Sequence, residues 1–210
     1  MRRPSRVAAL LLAALPALAS AHSPIKGVGH FYGGMLHPVA VPAHLMAILA
    51  MGLWLGQRWP AGGNAMLALL AAVPVGMATG HASGWQQGEL VILGLAAVVA
   101  IFVAAARDMP ALPRAALAAA LGLLLGMDSL PDGLSGGPLW ASLAGTWFAV
   151  LLGLAWMIAM SEIAAKPWMK IGVRVIASWL CAAAVLVLAL SAFGPRSPGP
   201  SASTAAPAPR

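Results

Sequence analysis

Apolar residues run along this chain in six long blocks, covering positions 39–57, 65–81, 89–106, 112–126, 139–160 and 171–193. Polar and basic residues collect in the short gaps between them. Most blocks approach the ~20 residues that a helix needs to cross a hydrocarbon layer of ~30 Å, and the fourth is the shortest. The pattern predicts an all-α polytopic membrane bundle of about six transmembrane helices, occupying residues 22–193. Trp59, Trp85, Trp140 and Trp168 fall near block ends, where indole favours the interface.

The ends differ from the middle. Arg2, Arg3 and Arg6 precede a short apolar stretch, and Ala19, Ser20 and Ala21 supply a small-x-small cleavage pattern. Residues 1–21 therefore read as a cleaved signal peptide. Cleavage leaves His22 at the mature N-terminus, outside the cytoplasm. Residues 194–210 are rich in Pro, Ser and Ala and read as a disordered tail.

Composition agrees with a bilayer as solvent. The chain is 61% hydrophobic and 8% charged, against about 25% charged in a soluble domain. The formal charge of +7 is not gathered into a nucleic-acid patch. With the mature end in the periplasm, alternate loops hold Arg58, then Arg107 and Arg114, then Lys166, Lys170 and Arg174. The opposite side has Lys26, Arg196 and Arg210. This bias agrees with the signal peptide and predicts a bacterial inner-membrane protein. Three pairs of glycines at four-residue spacing, Gly52 with Gly56, Gly76 with Gly80 and Gly122 with Gly126, predict close helix packing. Cys181, the one cysteine, reads as a packing residue.

The same topology sorts the titratable residues. His22, His30, His37, His44, His81, Glu89, Asp128 and Asp132 all fall at or near the periplasmic mouth. His37 and His44 are seven residues apart and share a face if one helix carries both. Ionisable groups near membrane depth mark a cavity, a pathway or a pair. Imidazoles with carboxylates and no thiolate suit transient binding of a borderline divalent metal. Pro38 fits a first helical turn, whereas Pro42 removes a hydrogen bond and kinks or delays the helix. Pro74 is placed to kink the second block.

The stretch 29–38, with His37-Pro38, then His44 and Gly52-Leu53-Trp54, resembles the HupE/UreJ family. The resemblance implies a six-span permease for nickel or cobalt, with a functional link to hydrogenase or urease maturation. His22 directly after the signal, and Glu89 opening the third block, are similar to the family. Two features depart from it. Ala43 stands where the family places Asp before its second histidine. Its later His-rich motif has 126–133 as counterpart here, without histidine.

These readings converge on secondary transport of a divalent metal. His37 and His44 are the expected primary ligands. His22, His30 and His81 would collect metal, and Glu89, Asp128 and Asp132 would add negative charge. The metal is substrate, with no tightly bound cofactor, and lipid is the other expected partner. Two rivals stand beside this: a haem- or copper-binding protein using His44 and His81, and a metal-sensing or assembly partner that does not transport. No phosphate-binding loop and no nucleophile–base pair is apparent, so an enzyme is not expected.

Overall fold

The computed structural model describes residues 29–85, 88–164 and 166–193. The expected signal peptide at 1–21, His22 and the expected tail at 194–210 lie outside the described residues. Among the described residues the chain is all-helical, with seven helices and no strand. They are α1 (His30–Ala40), α2 (Pro42–Gly56), α3 (Gly63–Ser83), α4 (Glu89–Ala104), α5 (Ala111–Met127), α6 (Gly136–Ile163) and α7 (Pro167–Phe193).

Each of the six apolar blocks is helical, but they are unequal. Helices α3, α6 and α7, with 21, 28 and 27 residues, are long and apolar enough to cross a membrane. Helices α4 and α5 are shorter, at 16 and 17 residues. At ~1.5 Å per residue they reach only about 24–26 Å, so three helices, or four if the bent α1–α2 pair is one span, are long and apolar enough to cross, against the six expected. The bundle exterior is apolar: Leu67 of α3, Val91 and Ile101 of α4, Leu152 of α6 and Ile176 of α7 are exposed. A bilayer supplies the solvent that such a surface requires.

The first block departs most from expectation. The block, expected at 39–57, is helix α2, and an additional helix, α1, precedes it and meets it at 77°. Val41 is extended there (φ −94°, ψ 109°) because the ring of Pro42 disfavours the helical region for the residue before it. Pro42 then opens α2, where its missing N–H leaves no helical bond unmade. Pro38, expected in a first turn, lies inside α1, because the helix already begins at His30. Pro74 does not divide α3, which runs unbroken from Gly63 to Ser83.

The helices pack through small residues. A Cβ built on Gly76 would overlap the carbonyl oxygen of Leu123, and one on Gly126 would overlap that of Val73. Helices α3 and α5 therefore touch backbone to backbone, in the most extensive pairing of the fold. Gly52 and Gly56 similarly admit Met157 and Ser161 of α6. Helix α1 lies antiparallel along α6, with Gly34 against Ser142 and Gly145 against Phe31. The Thr146 hydroxyl donates to the Gly34 carbonyl at 3.0 Å and fixes this contact.

The arrangement gives the molecule two unlike polar ends. At one, Trp54, Gln57 and Arg174 donate to the carbonyls of Arg107, Val103 and Ala104, satisfying orphan acceptors around the end of α4. Asp108 there bridges Arg114 at 2.8 Å and Arg58 at 3.5 Å. The other end gathers the start of α2, the end of α3, the start of α4 and the end of α5. It carries His37, His44, His81, Glu89, Asp128 and Asp132.

Candidate functional site

Two histidines meet at the bend. His37 lies in the last turn of α1, and His44 is the third residue of α2. They do not share one continuous helix face, because Val41 breaks the helix between them. The bend itself brings them together: their ring centroids are 5.1 Å apart, with planes at 75°. His44 is fully buried, which is unusual for imidazole and demands partners.

Asp128 provides one. It caps the C-terminus of α5, 84 residues further along the chain, and its Oδ2 lies 3.1 Å from His44 Nε2. Its Oδ1 accepts the backbone N–H of Gly88 at 3.0 Å. Gly88 is the N-cap of α4, where the helix dipole favours an anion. One carboxylate therefore ties together α2, α4 and α5. Ala43 leaves His44 without a carboxylate neighbour in sequence, and the tertiary fold brings one from α5. The remaining ring nitrogen, His44 Nδ1, is buried and has no hydrogen-bond partner among the described residues.

The other candidates lie apart from this core. His30 opens α1 and is exposed. His81 is exposed on the last turn of α3, lining an apolar groove of about 460 Å³ with Trp140 and Trp147. Glu89 starts α4 and Asp132 sits in the turn after α5, both exposed. Among the described residues, no group of three or more His, Cys, Asp or Glu is arranged to hold a metal ion. The built core is therefore His37, His44 and Asp128, with its carboxylate already occupied by two donors. His44 and His81, considered together as haem ligands, have different surroundings: one is sealed against Asp128 and the other opens onto the groove.

The HupE / UreJ protein family model matches residues 9–129, more than half of the chain. The chain belongs to the HupE / UreJ family. The match takes in the bend, both buried-site helices and Asp128, and it ends before Asp132. The HupE / UreJ family is associated with nickel or cobalt uptake, or with an accessory role, and is linked to the nickel metabolism of hydrogenases and ureases. No curated protein and no solved structure matches the chain.

Sequence reasoning named His44 and Asp128 without pairing them, and it missed Gly88 and the α1–α6 contact. Gly34, Gly145 and Thr146 carried a usable signal, since small and hydroxyl residues in apolar helices mark close packing. Gly88 acts through its backbone N–H and leaves no side-chain signal.

Proposed function

We propose that this HupE / UreJ chain is a secondary transporter of a divalent transition metal, nickel or cobalt. It works in the bacterial inner membrane, with the histidine-bearing end toward the periplasm. His37 and His44 are the ligands at the bend. His22, His30 and His81 gather the ion, and Glu89 and Asp132 lend negative charge at the mouth. One observation carries the reading: two imidazoles packed together at a helix break, one of them buried with a ring nitrogen left over. A buried polar atom without a partner is costly and is retained where it has a use. Broken helices serve transporters because the break frees polar groups at depth. Imidazole donors suit nickel and cobalt better than magnesium or calcium.

The test is uptake into liposomes loaded with a metal-sensitive dye. Wild-type protein is expected to admit nickel, and His37→Ala with His44→Ala to reduce the rate by roughly tenfold or more. Equal uptake by the double variant would remove these residues from the path. A second reading, a metal-binding partner that does not transport, has the enclosure of His44 in its favour. It predicts equilibrium nickel binding with no dye response.

A further inference from the structure

We infer that Asp128 is a positioning residue that holds His44 in the tautomer with the proton on Nε2, so that Nδ1 is the nitrogen offered to a ligand. The use of Nδ1 for metal rests on the function proposed above; the tautomer itself does not.

An ionised carboxylate only accepts hydrogen bonds. Oδ1 of Asp128 accepts the Gly88 N–H at 3.0 Å, and Oδ2 faces His44 Nε2 at 3.1 Å. The Gly88 N–H that meets Oδ1 belongs to the N-cap of α4. A lone pair on Nε2 would then face a lone pair on Oδ2, so Nε2 carries the proton. A second proton on Nδ1 would be buried with no acceptor among the described residues. Nδ1 therefore holds a lone pair in a fully buried ring, beside the ring of His37 at 5.1 Å.

This arrangement is what an inner ligand and its supporting carboxylate require. A carboxylate on the far nitrogen orients the ring and makes the near nitrogen a better donor. Asp128 then acts through His44 and not by touching the ion. Its two oxygens already serve α2 and α4. The inner donors contributed at the bend are two imidazoles. Water or further groups complete the shell.

The experiment uses full-length protein in nanodiscs with histidine labelled by nitrogen-15. Ring nitrogen shifts distinguish the two tautomers, and His44→Gln identifies the His44 signals. Wild type is expected to show the Nε2–H form for His44. Asp128→Ala should lose it to a mixture, and Asp128→Glu should restore it. Asp128→Asn, whose amide oxygen can still accept, should keep the tautomer and preserve the fold should the alanine variant fail. Calorimetric titration with nickel chloride should give affinity lowered roughly 10–100-fold in Asp128→Ala and partly recovered in Asp128→Glu. An Nδ1–H form in the wild type overturns the inference, as does a tautomer unmoved by Asp128→Ala. An Nε2–H signal in protein that binds no nickel supports the positioning role and removes the metal reading instead.

Discussion

Arg114 is buried in the first turns of α5 and presents its charge to a single carboxylate. Its Nη1 donates to Asp108 Oδ1 at 2.8 Å and its Nη2 to the Ala61 carbonyl at 2.9 Å. Arg58 reaches the other oxygen of Asp108 at 3.5 Å with its side chain 48% exposed. The two bonds are not equivalent. Removing Asp108 leaves a buried guanidinium without its anion, whereas removing Arg58 loses a solvent-screened pair. Asp108→Ala is expected to destabilise the protein by about 1–3 kcal/mol, the lower range reflecting a half-exposed carboxylate. Arg58→Ala should change stability by less than about 1 kcal/mol. Thermal unfolding in detergent, followed by tryptophan fluorescence, orders the two; equal losses would contradict this division. Single residues also show how far the site was legible. His44 stands out in an apolar run, and imidazole at depth needs a partner. The partner was not legible, because pairing across 84 residues depends on how α2 and α5 pack.

Packing at the level of elements is set by where backbones can touch. Gly76 and Gly126 bring α3 and α5 so close that any side chain at either position meets a carbonyl oxygen. Gly94 on α4, by contrast, has nothing within 4 Å of a built Cβ. Gly76→Val should force the pair apart and destabilise by roughly 1–3 kcal/mol or more. Gly94→Ala should be neutral or stabilise by about 0.4–1 kcal/mol through lost chain freedom in the unfolded state. Melting temperatures of the two variants check the contrast, and a stable Gly76→Val protein would refute the close contact. The Gly pairs were legible because four-residue spacing puts them on one face. Helix α1 was not, since Gly29, Gly33 and Gly34 make a poor helix on propensity alone. It forms because Gly34, Gly145 and Thr146 dock it on α6. Pro42 foretold an interruption, but the size of the bend depends on that docking.

For the whole molecule, the division into two polar ends matters more than the net charge. Arg58, Arg107, Arg114 and Arg174 cluster where α4 ends, together with Asp108 and Glu162, and the described histidines with Glu89, Asp128 and Asp132 occupy the opposite pole. A cation approaching the histidine-bearing pole meets Glu89 and Asp132, both exposed. Basic loops remain on the cytoplasmic side in inner-membrane proteins. Under the function proposed above, the expected path is collection at the histidine-bearing pole and release at the basic one. Cysteine accessibility tests this without any assumption about the metal. In a Cys181→Ser background, Asp132→Cys should react with a membrane-impermeant maleimide on intact spheroplasts. Lys170→Cys, exposed near the start of α7, should react only after the membrane is permeabilised. Labelling at both positions from outside would break the assignment of the two poles to opposite faces. The inverse pattern would place the imidazoles in the cytoplasm, and the same bend would then serve export or cytoplasmic metal storage in place of uptake.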